Sequence, residues 1–394
     1  MAHGKSNRMH IVHLLTRLLR AGSEENTLEV CKWQVWAGHR VTVLHGVDVD
    51  PWWYDNPIPG ITLQAVPEMV HPLNPVADLR ALGALRSMVR DLRPDVLHTH
   101  QSKAGILGRL AASAVPDAVV AHGIHIVPFE GVSPAKRAFY IAAERFAARR
   151  TDMFIGVSRA VGQAYVSAGI ARRGPVHCVR SGFDLGRFRD AQLPDDWRDL
   201  LGVRRGNQRP RVALMLAAFE PRKRHVTFLR AFAKVSDGLP GLKLLLAGSG
   251  PEEGRVRAAV QDLGLQDQVV FCGHRPDPEA LLALADVSVL TSGHEGLARV
   301  VVQSITAGCP VVVNDLPGVD EIVADGVNGH ILPGDDMDGV AVRMGLLMRD
   351  DKALGQLRAG ARATDVSPWD VALMGARTTA LYGSPAGINP ALAA

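Results

Sequence analysis

The sequence predicts an α/β protein made of two doubly wound, parallel-sheet domains. Three observations carry that expectation. The chain has 394 residues, too many for one ordinary core. Short apolar runs alternate with helical patterns along its length, the signature of parallel strands wrapped by helices. The alternation breaks once, in the polar and charged stretch RDAQLPDDWRDLLGVRRGNQRP at 189–210, and then resumes.

The first series reads as strands at HIVHLL (10–15), RVTVLH (40–45), ITLQAV (61–66), DVLHTH (95–100), AVVAH (118–122), MFIGVS (153–158) and VHCVR (176–180). Between the third and fourth, Leu79, Leu82, Leu85, Val89 and Leu92 form one apolar helix face, with Arg86, Arg90 and Arg93 on another. The second series reads as RVALMLAAF (211–219), LKLLLAG (242–248), QVVFCG (268–273), DVSVLTS (286–292) and CPVVVND (309–315). The expected domains are therefore 1–190 and 211–365, joined by a linker at 191–210, facing a central cleft. A tail helix follows in 366–394.

Composition narrows the class. Apolar content of 47% and charged content of 21% are those of an ordinary globular protein. No apolar run reaches the roughly 18–20 residues that span a bilayer. The start MAHGKSNR is polar, and the run after it is broken by Arg17 and Arg20, a poor signal peptide and a good first strand. Cys31, Cys178, Cys272 and Cys309 show no metal-like spacing and read as reduced thiols, so the expected location is the cytoplasm. A net charge of +4, without an aromatic-interleaved basic stripe, points away from nucleic acid.

Parallel sheets bind ligands at the carboxyl ends of their strands, so candidate residues are sought there. After the first strand, Gly22 and Ser23 open a helix. The place suits an anion held by free N–H groups, or a tight turn with Ser23 as cap and Glu24 and Glu25 favouring the helix dipole. It is not a GxGxxG loop. After the fourth strand, Lys103 and Arg109 are candidates to face an anion. After the fifth, His122 and His125 are placed to hydrogen-bond a sugar or phosphate, and no nearby Cys or carboxylate completes a metal set. Arg222, Lys223 and Arg224 follow the first strand of the second series and suit a diphosphate. Gly248 and Gly250 permit close backbone approach to a ligand. Gly273–Arg275 follows the next strand. Finally, Glu295 and Gly296 follow DVSVLTS ahead of a helix expected from about Leu297. Gln303 lies eight positions beyond Glu295 on that helix, about 80° past two full turns, so both can reach one elongated ligand.

With these residues on the page, the chain resembles the GT-B glycosyltransferases of family 4, which are retaining nucleotide-sugar enzymes with Rossmann-like domains. The resemblance runs from HLLTRLLRAGSEENT through RPDVLHTHQSKAGILGRLAA, SRAV, SGFDLGRF, LAGSGPE and FCGHRPD to HEGLARVVVQSITAGCPVVVNDLPGVDEIVADGVNGHILP. It implies a donor site in the C-terminal domain, an acceptor site mainly in the N-terminal one, and a C-terminal helix that returns to the first domain. It implies no metal and no cofactor beyond the nucleotide-sugar substrate. By position it implies that Glu295 contacts the donor sugar, Gln303 the ribose, Lys223 the diphosphate and His125 the transferred sugar. Around them Arg222, Arg275, Leu297, Ala298 and Arg299 become donor-side candidates with the glycines already named, and Lys103 and His122 acceptor-side ones.

Two positions depart from the family pattern. Gln303 replaces the second Glu of an E-x7-E motif, which removes charge assistance to the ribose hydroxyls, worth roughly 1 kcal/mol. Ala218 stands where the family has an Arg, so Arg222 or Arg299 must supply that cation. The implied activity is transfer from a UDP-sugar, or a GDP-sugar, to a glycan or lipid-linked acceptor in polysaccharide or glycolipid assembly. The alternatives are a catalytically weak nucleotide-sugar-binding subunit of an assembly complex, and an epimerase or hydrolase on the same fold. The segment 133–150 mixes Lys136, Arg137, Arg145, Arg149 and Arg150 with Phe139, Tyr140 and Phe146, which suits either a solvated helix or peripheral contact with the inner membrane surface.

Overall fold

The computed structural model describes residues 8–20, 22–172, 174–204, 208–239 and 241–383. The chain divides into two compact units: a first, through Gly182 and again from Pro368, and a second, Phe183–Ser367.

The first unit is built on strands β1 (His10–Leu15), β2 (Arg40–His45), β3 (Ile61–Ala65), β4 (Val96–His100), β5 (Val119–Ile124), β6 (Met153–Gly156) and β7 (Val176–Cys178). They form one parallel sheet in the order β3-β2-β1-β4-β5-β6-β7. β1 and β4 are buried along their whole length, as strands covered by helices on both faces must be. The order reverses between β1 and β4, which opens a crevice at their carboxyl ends. The helix Val371–Tyr382 belongs to this unit and packs on the helix Gly22–Trp36, where Gly375 lies against the Trp33 ring.

The second unit repeats the plan with β8 (Arg211–Leu216), β9 (Leu242–Ala247), β10 (Val269–Gly273), β11 (Val287–Leu290), β12 (Val311–Asn314) and β13 (Gly329–Leu332), in the order β10-β9-β8-β11-β12-β13. Here the switch point lies between β8 and β11.

Four sequence expectations are corrected. The stretch 191–210, expected as a linker with a short helix, carries that helix at Trp197–Leu201 but is not a free linker: Leu201 is buried with Val212, Leu214 and Leu245 in the second unit's core. Its apolar residues are too few to register as a pattern, yet they cover one sheet face. The unit boundary falls at Gly182, ahead of residue 190, because Phe183, Leu185 and Phe188 are buried in the second unit. β13 was not expected; its four residues, GHIL, are too short to show a period. On the helix Pro75–Leu92 the buried stripe is Ala81, Leu85 and Val89, while Leu79 is 72% exposed. At about 100° per residue, Leu79 sits some 120° away from Leu85, off the core face. Among the described residues no helix is long and apolar enough to cross a membrane.

Candidate functional site

In the second unit the two loops at the switch point are stitched together through main-chain carbonyls. After β8 the chain makes a short 3-10 turn, Pro221–Lys223. The carbonyl of Arg222 accepts from the Gly293 amide at 2.7 Å, and that of Lys223 accepts from the Thr291 hydroxyl at 3.0 Å. The loop after β11 is held in turn by Asn314, at the end of β12, whose amide donates to the Ser292 carbonyl at 2.6 Å. Arg224 closes the 3-10 turn in the left-handed region at φ 57, and its guanidinium donates to Asp335 and the Gly334 carbonyl. A non-glycine residue in that region carries strain that the surrounding contacts must hold.

These anchors converge on Glu295, which is 8% exposed. Its Oε1 accepts from Lys223 Nζ and, at 2.7 Å, from the Ser292 hydroxyl. Its Oε2 accepts from Arg222 Nη1 at 2.9 Å, while Arg222 Nε donates to Glu220 at 2.7 Å. Burial pushes the Glu295 carboxyl up, but Lys223 and Arg222 outweigh it and hold the group below the usual carboxylate value. Glu295 is therefore an ionised carboxylate clamped by two cations from the neighbouring strand end.

Around this cluster, Gly248 and Gly250 adopt φ 148 and 157. A Cβ on either would run into the main chain of Ala217 or Phe219, so only glycine lets the loop after β9 lie against the loop after β8. Gly296, Leu297 and Ala298 lead into a helix that begins at Arg299, two residues later than expected, with Leu297 and Ala298 buried. Gln303 is half-buried in its second turn. The Arg299 guanidinium lies over the Phe183 ring, 5.0 Å from its centroid. Arg275 is engaged by Asp196 and Asp277 at 2.7 Å each. Its side chain thus ties the Trp197–Leu201 segment to the loop after β10. His225, at the start of the next helix, lies tilted against Phe219 at 4.7 Å between ring centroids, and neither ring nitrogen has a hydrogen-bond partner among the described residues.

In the first unit the switch point carries Gln101, at the unusual φ 61. Its side chain accepts from the Thr16 amide at 2.9 Å and donates to Glu24 at 3.0 Å and to Ser23 Oγ at 3.3 Å. Ser23 lies within the first turn of the Gly22–Trp36 helix, and its hydroxyl donates to Glu24 at 2.6 Å, so it does not act as the cap the sequence suggested. Three further candidates are already engaged inside the unit. Lys103 pairs with Asp78 at 2.6 Å, Arg109 is fully buried against Glu144 at 2.6 Å, and His122 is buried between Phe154 and Tyr165 with Thr99 Oγ1 at 3.0 Å.

His125 does stand at a strand end, half-buried just beyond β5, and it belongs to a larger group that sequence reading missed. His13, His98 and His100 are buried beside one another, with His13 in register with His98 across β1 and β4. Their ring nitrogens lie within 4.8 Å, close enough to be weighed as a metal set. His13 Nδ1 and His100 Nε2 are 2.9 Å apart, the separation of a shared proton. The signal was present as HTH, two histidines at strand spacing on one face.

The sequence pattern of the family described as "Glycosyl transferases group 1" matches residues 202–364, and that of "Glycosyl transferase 4-like domain" matches 21–182. This chain is a group 1 glycosyltransferase. Among curated relatives, the glycosyltransferase is 24% identical to UDP-Gal:alpha-D-GlcNAc-diphosphoundecaprenol alpha-1,3-galactosyltransferase of Escherichia coli, over 78% of this chain and 79% of that one. It is 29% identical to phosphatidyl-myo-inositol mannosyltransferase of Mycolicibacterium smegmatis, over 74% and 72%. Its GT-B fold is shared with Anabaena Alr3699/HepE, whose crystal structure holds UDP and glucose: TM-score 0.78, 22% identity, 96% of this chain and 100% of that one.

Proposed function

We propose that this glycosyltransferase is a family 4 enzyme that moves a sugar from a UDP-sugar to a hydroxyl of a glycan or lipid-linked acceptor, with retention and without a metal. One observation carries the reading: Glu295, Lys223 and Arg222 meet at the β8–β11 switch point of the second unit. That is where a doubly wound sheet binds its ligand, and the cluster supplies both the cations a leaving diphosphate needs and a carboxylate for sugar hydroxyls.

In this reading Lys223 and Arg222 stabilise the charge that develops as the diphosphate departs. Arg222 takes the place of the cation missing at Ala218, since it reaches Glu295, whereas Arg299 is stacked on Phe183. Glu295 orients the donor sugar, Gln303 meets the ribose, and His125 lies beside the transferred sugar. No side chain serves as covalent nucleophile; the acceptor attacks from the face the diphosphate leaves. Uridine is favoured by the UDP in HepE and the UDP-galactose donor named for the E. coli relative, with a GDP-sugar as the alternative. The acceptor class follows the lipid-linked substrates in the two relatives' names. The helix Pro134–Ala147 exposes Phe139 and Phe146 among basic residues, which supports peripheral contact with the cytoplasmic membrane face.

Thermal shift with UDP, GDP, ADP and their sugar conjugates tests this on the wild type and Lys223→Ala. A ligand that binds the folded state raises its apparent stability by mass action. A rise with uridine nucleotides, lost in the variant, is the expected result. No rise with any nucleotide would favour the reading of a silent binding subunit altered at Ala218 and Gln303.

A further inference from the structure

His13, His98 and His100 meet inside the first unit, apart from the donor site proposed in the second. One ring nitrogen from each lies within 4.8 Å of the others, and the three side chains are sealed from solvent, at 0%, 3% and 3% exposure. They come from neighbouring strands. His13 on β1 is in register with His98 on β4, and His100, two residues on, faces the same side of the sheet.

Each ring is held from outside the group. Gln34 Oε1 lies 2.9 Å from His13 Nε2. A carbonyl oxygen only accepts, so His13 carries its proton on Nε2 and turns the lone pair of Nδ1 towards His100. His98 Nδ1 lies 2.7 Å from the Tyr382 hydroxyl, and His100 Nδ1 lies 2.9 Å from His125 Nε2. That leaves His13 Nδ1, His98 Nε2 and His100 Nε2. The first and third are 2.9 Å apart. The second is buried and has no hydrogen-bond partner among the described residues. A buried ring nitrogen left in that state is costly, so it calls for an occupant. It also borders an open space. Gly123, in register with His100 on β5, brings no side chain, and a Cβ there would lie 3.1 Å from His98 Nε2 and 2.7 Å from His100 Nδ1.

Three imidazoles, each fixed through its other ring nitrogen, are ligand chemistry that suits zinc. Zn–N bonds of about 2.0–2.1 Å set ligand nitrogens roughly 3.3 Å apart in a tetrahedron, so ring movements of the order of 1 Å convert the group into a site. Among the described residues no Cys or carboxylate joins the three, which leaves the fourth position to water.

We propose that His13, His98 and His100 bind one Zn2+ ion in the first unit, with Gln34 and Tyr382 orienting the rings that face it. Gln34 lies on the helix Gly22–Trp36 and Tyr382 on the helix Val371–Tyr382, and these two helices pack on each other. The ion therefore ties the centre of the sheet to both. Its role is structural: no step of the proposed sugar transfer runs through it, and the site stands whether or not that reading does.

The experiment uses the full chain, stripped with a chelator and then titrated with Zn2+ or Co2+ alone. Calorimetry should show one Zn2+ per chain. Zn2+ should also raise the urea midpoint, since an ion that binds only the folded state stabilises it by mass action. X-ray absorption should find three imidazole nitrogens at about 2.0–2.1 Å and no sulfur. Co2+ should give the visible absorption of a four-coordinate ion without thiolate charge-transfer bands. His98→Gln should abolish saturable binding. Tyr382→Phe leaves the ligands in place and should weaken Zn2+ binding roughly 10- to 100-fold. Where His98→Gln does not fold, Tyr382→Phe and the ligands seen by X-ray absorption decide. No saturable binding, sulfur among the ligands, or binding unchanged in His98→Gln overturns the site. Affinity unchanged in Tyr382→Phe overturns the role given to Tyr382. A crystal structure of the Zn2+-treated chain with water only at His98 Nε2 overturns the site as well, because solvent then satisfies that nitrogen.

Discussion

Arg222, in the 3-10 turn that follows β8, places Nη1 2.9 Å from Oε2 of Glu295, beyond the end of β11. With Lys223 on the other oxygen, the two cations proposed for a diphosphate are neutralised by the carboxylate proposed for the sugar. Ligand binding must therefore loosen or share these pairs.

Glu295→Gln separates the two demands. Removing the negative charge leaves Lys223 and Arg222 for a phosphate alone, so UDP should bind several-fold tighter, about 1 kcal/mol. Sugar transfer should fall by about two orders of magnitude, because the group orienting the sugar has lost its charge. Calorimetric titration with UDP beside donor turnover checks the opposing signs.

Arg222→Ala and Arg299→Ala decide which cation replaces the one missing at Ala218. Arg222→Ala should weaken UDP binding roughly tenfold, the loss of one charge-assisted contact. Arg299→Ala should leave UDP affinity within about twofold, its guanidinium being stacked on Phe183. The reverse order would reassign the clamp to Arg299.

Gln303→Glu adds charge assistance to the proposed ribose contact. Uridine nucleotides should bind several-fold tighter, about 1 kcal/mol, while 2′,3′-dideoxy-UDP should gain nothing. An equal gain for both ligands would place Gln303 away from the ribose.

His225 makes the second unit acid-sensitive. Burial, and then Lys223, lowers it to about 4. Below about pH 6.5 the unfolded chain takes a proton that the folded one refuses, so stability is lost as pH falls from about 6.5 towards about 4, by up to about 1.4 kcal/mol per pH unit. His225→Phe keeps the ring contact with Phe219 and should remove one such increment, visible as a shallower fall of the urea midpoint across that window. An unchanged slope would mean that the folded state accommodates the imidazolium.

Gly375→Ala tests the seat of the last helix. A Cβ there would overlap the Trp33 ring, so the first unit should lose about 1–3 kcal/mol. A chemical-denaturation midpoint equal to the wild type would mean that this helix contributes little to that unit.

Much of this was legible in the chain alone. The strand starts at His10, Arg40, Met153, Arg211 and Leu242 were readable because each opens a largely buried apolar run closed by a polar or glycine-rich turn. Glu295, Lys223 and Arg222 were readable as candidates because sheets of this kind present ligand groups just after their strands. Lys103 and His122 met the same rule, but a strand-end position does not say whether a partner such as Asp78 or Thr99 already engages the group.

By itself, then, the sequence determined two parallel sheets, the strand ends where chemistry belongs and the family resemblance, because these depend on local periodicity and motif order. Only the tertiary structure decided that Arg222 and Lys223 clamp Glu295 and that His13 meets His100 in the first unit. Those contacts join residues separated by 72 to 87 positions. Their geometry is set by which strands are neighbours, β8 with β11 and β1 with β4, and no local pattern records that order.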